Sequence, residues 1–151
     1  MWGIAKGQVG IRSAMNAAEM PTGYVYRPGD WGGSGPLLGS PRRGDAVART
    51  AVVILFLPYQ TMQRMLVENP AWWADVARLA LHDAFRFGSW GTDLLLKNSR
   101  ARVAAILLHL AGTRQTGLEH AEVVVSQSEQ GDMINLSRQP VGMVLNEFDA
   151  A

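Results

Sequence analysis

Ser137-Arg138-Gln139 is the part of this sequence whose residue types can do the most specific chemistry. An arginine in the first turn of a helix presents two donors to guanine O6 and N7, and a glutamine beside it pairs bidentately with adenine. Serine hydroxyls and the free backbone amides at helix starts hold phosphate, a role open to Ser126 and Ser137. All of this requires a helix whose first turn is exposed and aimed into a major groove.

The surrounding residues predict that helix. Ser126-Gln127-Ser128-Glu129 is a capping box, with serine at the cap and glutamate three residues on. It predicts a short helix through Met133 or Ile134. Asn135 follows where a left-handed residue is wanted, and Leu136 supplies an apolar plug. Ser137 then caps a second helix, Arg138 to about Phe148, with Val141, Val144, Leu145 and Phe148 as its buried face. Two short helices, a tight turn and a polar first turn on the second helix make a helix-turn-helix layout. The same spacing fits a capped helical hairpin inside a core, so spacing alone leaves both readings open.

Other chemistries are poorly served. The 151 residues include no cysteine, which removes disulfides, thiolate zinc sites and cysteine nucleophiles. His82, His109 and His120 show no metal-ligand spacing, and no carboxylate dyad stands out. Gly32-Gly33-Ser34-Gly35 is not followed by a lysine and a helix, as a phosphate loop would be. It also lacks the strand–elbow–helix setting of a hydrolase serine. No enzymatic activity, metal or cofactor is expected. The net charge is +1, so a uniformly basic coat is absent and any DNA contact rests on a local patch. With 48% hydrophobic and 18% charged residues the chain is expected to be globular. The best apolar run, Ala51–Pro58, falls far short of the ~20 residues of a membrane-spanning helix. No basic-then-apolar leader opens the sequence. A cytoplasmic protein with no membrane partner is expected.

The elements that must position the triplet follow from periodicity. Residues 1–57 carry most of the glycines. There the apolar runs Val9–Ile11, Tyr24–Tyr26 and Val52–Leu57, separated by turns such as Arg27-Pro28-Gly29-Asp30, predict strands. Val52–Leu57 is continuous and β-branched and reads as a buried strand stopped by Pro58, while Trp31 to Pro36 reads as a loop. Met62, Met65 and Leu66 space like a helix from Tyr59 to Glu68. Asn69-Pro70 gives an N-cap and a first-turn proline, and no proline follows until Pro140, which allows a long helix. Its stripe is Trp72, Val76, Leu79, Asp83, Phe87, Trp90 and Leu94. A stripe this narrow packs against a second copy or against its own domain. Asn98-Ser99 starts a further helix with Val103, Ile106, Leu107 and Leu110 on one face and Gly112 at its end. Residues 113–122 read as a polar connector, and Val123–Val125 as a short strand or extended lead-in.

In this order the segments resemble the Crp–Fnr (catabolite-activator) superfamily of bacterial transcription regulators. Ile134–Leu145 is similar to the family's recognition region, matching at Leu136, Ser137, Arg138, Val141 and Leu145. It departs at Pro140, where threonine is usual, and at Met143, where arginine is common. Arg100–Ala111 is similar to the helix leading into the DNA-binding domain, and Asn69–Leu96 takes the place of the dimerisation helix. Pro28-Gly29-Asp30-Trp31, Gly35-Pro36-Leu37-Leu38 and Ala48-Arg49-Thr50-Ala51 resemble the second half of the effector-binding β-roll.

The resemblance implies an α+β fold in three parts, shortened at both ends relative to the family. These are a partial cyclic-nucleotide-binding-like β-roll over residues 1–68, a dimerisation helix over 69–97, and a winged-helix-type helix-turn-helix domain over 98–151 with its wing missing. It implies a dimeric, sequence-specific regulator whose partners are double-stranded DNA, a second copy, RNA polymerase and a small-molecule effector of unknown identity. The implied DNA contacts are Ser126, Gln127, Ser137, Arg138, Gln139 and Met143; the implied effector contacts are Ser34, Arg42 and Arg43. Cyclic-nucleotide members hold the ribose with a glutamate and the phosphate with an arginine followed by a hydroxyl residue. Here Ser34 stands at the glutamate position and Gly44 follows Arg42-Arg43. One hydroxyl cannot replace a carboxylate that accepts two ribose hydrogen bonds. Phe87 and Gly88 stand where small hydroxyl residues would touch the base. Tight cyclic-AMP binding is not expected. The alternative is a dimeric interaction or ligand-sensing module that no longer reads DNA, which Pro140, Met143, the near-neutral charge and the missing wing favour.

Overall fold

The computed structural model describes residues 1–13, 22–42, 44–112 and 123–150. Short apolar runs broken by glycine give six strands among them: β1 Trp2–Lys6, β2 Val9–Ser13, β3 Thr22–Tyr26, β4 Trp31–Gly32, β5 Gly44–Ala48 and β6 Val53–Phe56. They form two antiparallel sheets in the orders β4-β1-β6 and β3-β2-β5. β1 and β2 are consecutive yet lie in different sheets, and Gly7 makes the corner. Its φ is +84° and a Cβ there would sit 2.3 Å from the Ala51 carbonyl oxygen, so only glycine fits. Ile4, Val9, Tyr24 and Tyr26 are buried together, with Trp2, Ile11 and Val52 packed on them.

Two expectations need correction here. The apolar run Val52–Leu57 does form a strand, but β6 is not buried: Val53, Ile54, Leu55 and Phe56 are 45–66% exposed. Among the described residues β6 is the last strand of its sheet and β5 the last of the other, so each has a described neighbour on one side only. A continuous apolar run cannot distinguish a strand with two neighbours from one with a single neighbour. Trp31 to Pro36 is not simply a loop. Trp31 and Gly32 pair with Gly3 and Trp2, and Gly35–Leu38 forms a 3-10 turn.

The helices follow the predicted periods closely. α1, Tyr59–Glu68, buries Met62 and Leu66, which cluster with Met1 and Val76. Asn69 accepts the Ala71 N–H at 3.3 Å, and the 3-10 turn Pro70–Trp72 leads into α2, Trp73–Leu94. The chain divides into compact units at Met1–Phe85 and Arg86–Ala151, so α2 belongs partly to each. α3, Ser99–Ala111, is capped by Asn98 accepting the Arg100 N–H at 2.8 Å and ends at left-handed Gly112. It buries Val103, Ala105, Ile106 and Leu110, with Leu107 half-buried. The predicted connector 113–122 lies outside the described residues. Val123–Val125 is an extended lead-in, not a strand, to α4, Gln127–Ile134, and α5, Arg138–Asp149, follows.

Candidate functional site

The α4–α5 pair is built by local signals. Ser126 Oγ accepts the Glu129 N–H at 3.2 Å, which satisfies one orphan amide of α4. Asn135 adopts φ 54°, ψ 51°, and the Leu136 N–H donates back to the Gly131 carbonyl at 2.9 Å. That reverses the chain within one turn of helix. Gly131 was not singled out in the sequence, yet the turn depends on it, because a Cβ there would lie 2.3 Å from the Leu136 carbonyl oxygen. The available signal was a glycine inside a short helix, where it is otherwise costly. Ser137 stands at the cap position of α5, but its side chain makes no cap hydrogen bond. The expected hydroxyl cap is therefore absent, and the first-turn amides of α5 have no partner from Ser137.

α3, α4 and α5 pack against one another pairwise. Val103, Ile106, Leu110, Met133, Ile134 and Val141 are each at most 2% exposed in this three-helix core. Arg102 Nη1 donates to the Ile134 carbonyl at 3.1 Å and ties α3 to the end of α4. Arg100 lies 5.2 Å over the Phe148 ring and 3.4 Å from Glu147. That pair is half exposed, so its ionic part contributes little.

The candidate DNA contacts separate cleanly from this core. Ser126, Ser137, Arg138 and Gln139 are exposed, and Met143 is 60% exposed. Gln139 and Met143 are four apart and share a face of α5, away from buried Val141 and Val144. Gln127 is half-buried where α4 crosses α5, and a Cβ at Gly142 would lie 3.0 Å from its Oε1. Arg138 is the one lysine or arginine between residues 123 and 151, against Glu129, Asp132, Glu147 and Asp149.

The candidate effector contacts lie in the segment around the 3-10 turn Gly35–Leu38. Ser34 is half-buried ahead of the 3-10 turn, Arg42 is exposed, and Arg43 lies outside the described residues. A cavity of about 260 Å³ is lined from both sheets by Trp2, Val9, Ala46, Ala48, Val52, Ile54 and Phe56. Neither Ser34 nor Arg42 lines it. A phosphate placed there would lose water without gaining a charged partner.

The stripe on α2 is also resolved. Val76 is buried with Met1, Met62 and Leu66, Leu79 packs on that cluster, and Asp83 accepts the Tyr26 hydroxyl at 2.9 Å. The first half of the stripe thus packs on its own domain instead of a second copy. The residues left facing outward on α2 include Ala77, Leu81, Ala84, Phe85 and Gly88.

Residues 1–69 match the cyclic nucleotide-binding domain. A CRP-family transcriptional regulator from Thermus thermophilus is 26% identical, with a TM-score of 0.72 over 99% of this chain and 74% of its own. This chain is thus similar to a CRP-family transcriptional regulator across nearly its whole length. A second CRP/FNR regulator from the same organism aligns at 22% identity and TM-score 0.71, again over 99% and 74% of the two chains. FixK2 from Bradyrhizobium japonicum, 16% identical, shares the fold at TM-score 0.79 over 99% of this chain and 74% of its own. No curated protein matches the chain. The six strands fall within the residues that match the cyclic nucleotide-binding domain, and the α+β class stands. Among the described residues no helix is long and apolar enough to cross a membrane, and no group of three metal-binding side chains occurs.

Proposed function

We propose that the chain is a dimeric, sequence-specific DNA-binding regulator that reads bases through the first turn of α5 and lacks a tight cyclic-AMP site. The observation that carries this reading is the exposure of Ser137, Arg138 and Gln139 at the start of a helix whose other face is locked into a three-helix core. A helix presented in this way enters the major groove with its N-terminal residues at the base edges. Arg138 then addresses guanine, Gln139 adenine, and the Ser137 hydroxyl and first-turn amides a phosphate. Two copies would place their α5 helices about 34 Å apart on a palindromic site. Ser34 stands where a ribose-holding glutamate would, which supports the loss of tight cyclic-AMP binding.

Pairing of two copies falls to the outward face of α2. Ala77, Ala84 and Gly91 repeat at seven residues, as do Leu81 and Gly88 with Leu95 in the turn just past the helix, which is the two-position seam of paired helices. Leu81 and Leu95 are 55% and 79% exposed, and a Cβ on Gly88 or Gly91 would meet nothing within 4 Å. Small residues along that seam let two helices approach closely. Leu81→Glu is expected to weaken self-association about tenfold or more, read by sedimentation as a shift toward monomer at fixed concentration. An unchanged dimer would assign pairing to another surface.

The decisive experiment is fluorescence anisotropy of the full chain against randomised duplex DNA, with selection of bound sequences, at two salt concentrations. Enrichment of a palindrome, with affinity falling as salt rises, is the expected result. A second reading, an interaction module that no longer reads DNA, is favoured by one observation. A single arginine faces four carboxylates in residues 123–151, and phosphate neutralisation supplies most non-specific affinity. Binding that is weak, salt-insensitive and without enrichment would establish it.

A further inference from the structure

The outward surface of α5 continues past its first turn. Val141 and Val144 are buried, and Pro140, Leu145 and Phe148 are half-buried, which fixes the inward side of the helix. With about 3.6 residues per turn, the opposite side carries Gln139, Met143 and Asn146. All three are exposed, Met143 by 60%. Gly142 carries no side chain and lies against Gln127 of α4. Charged residues flank the stripe without entering it. Arg138 stands to one side, and Glu147, 3.4 Å from Arg100 of α3, to the other. From Gln139 to Asn146 the stripe runs about 10 Å along the helix, or about three base steps.

An amide, a thioether and an amide in a row match one kind of base pair. Glutamine and asparagine pair with the N6 and N7 edge of adenine, and an apolar side chain packs on the 5-methyl of thymine. No other base of DNA shows a methyl group in the major groove. Methionine suits that contact because it is unbranched and adapts to an irregular apolar surface. Its sulfur is only a weak acceptor and it has no donor, so it can grip neither guanine nor phosphate.

We infer that the Gln139–Met143–Asn146 stripe selects A·T pairs, with Met143 packed on a thymine methyl group and Asn146 paired with an adenine. This role deepens the DNA-binding reading and rests on it. The half-site is then a guanine addressed by Arg138 with A·T pairs beside it, over about three base steps. Shape and hydrogen bonding alone do not set the target, because removing one methyl group from the DNA changes it.

The test uses the full chain and the duplex it selects. Each thymine in turn is replaced by uracil, which removes the methyl and leaves every hydrogen-bonding group in place, and affinity is read by anisotropy. At one position in each half-site the parent chain should bind about fourfold more weakly, the effect of one buried methyl. Met143→Ala should bind the thymine and uracil duplexes alike, which isolates the pair. Met143→Leu keeps an apolar end and should still tell them apart, and it serves if Met143→Ala does not fold. Selection repeated with Asn146→Ala should relax the adenine preference at one position. A selected palindrome on which no uracil weakens binding, or a uracil effect that survives Met143→Ala, would overturn the methyl contact and leave the DNA reading in place. G·C pairs throughout the selected half-site would do the same. Failure to enrich any duplex would overturn the DNA reading itself, and the stripe's role with it.

Discussion

Gly131→Ala is expected to lower the melting temperature of the chain by several degrees, although alanine is the better helix former. In an open helix interior the change would add about 1 kcal/mol of stability. Here the new Cβ would lie 2.3 Å from the Leu136 carbonyl oxygen, a backbone atom that no rotamer change can move. The turn must open, which strains the 2.9 Å bond from the Leu136 N–H to the Gly131 carbonyl and disturbs buried Met133 and Ile134. Overpacking of this kind costs about 1–3 kcal/mol, and in a unit this small each kcal/mol moves the midpoint by about 4–8 °C. Gly88→Ala supplies the internal comparison. It sits in a helix and its Cβ meets nothing within 4 Å of its own chain, so at a concentration too low for copies to pair it should raise helix stability by up to about 1 kcal/mol. Calorimetry on the two variants should give shifts of opposite sign. A Gly131→Ala variant as stable as the parent would mean that the α4–α5 turn yields freely, and the fixed aim of α5 would go with it.

Arg138→Ala should leave the fold unmoved and cost most of the base discrimination. Arg138 is exposed, and substitutions at such surface positions stay within about 0.5 kcal/mol in stability. If it grips guanine with two donors, its loss should cost about 1–3 kcal/mol on the selected duplex, roughly fivefold to more than a hundredfold in affinity. Anisotropy with the selected sequence, and with the same sequence altered at the guanine, checks this directly. The variant should bind both alike. Equal affinity of the parent and the variant would remove Arg138 from the interface and favour the interaction module.

Much of the α4–α5 face was legible because its signals are local. A serine with glutamate three residues on, an asparagine at a left-handed turn and a four-residue apolar spacing each act within one or two helical turns. Side-chain geometry was not legible: Ser137 is the right residue at the right place, yet it makes no cap bond. The sheets were harder because their order is a long-range property. β1 and β5 are diluted by glycine and alanine, so no alternation marks them, and the exposure of β6 depends on which strands flank it. On α2 the hydrophobic stripe points inward at Val76 and Leu79. The outward seam of alanine, glycine and two leucines has little hydropathy contrast, so periodicity passes over it. Loop position likewise did not reveal that Ser34 and Arg42 stand apart from the cavity.

Ala51-Val52-Val53-Ile54-Leu55-Phe56-Leu57 contains no charge, proline or glycine, and β6 within it presents its apolar side chains to water at the edge of a sheet. Segments of six or seven residues with this composition stack strand on strand into cross-β fibres, and natural edges are usually blunted by a charge, a bulge or a proline to prevent it. β6 itself carries no charge or proline, and its one irregularity is the register shift where Ile54 and Val53 pair with Ile4 and Lys6. The stress this chain is least equipped to meet is therefore crowding with its own kind. Its lifetime in solution should shorten steeply with concentration, through growth that begins at β6 and needs no prior unfolding.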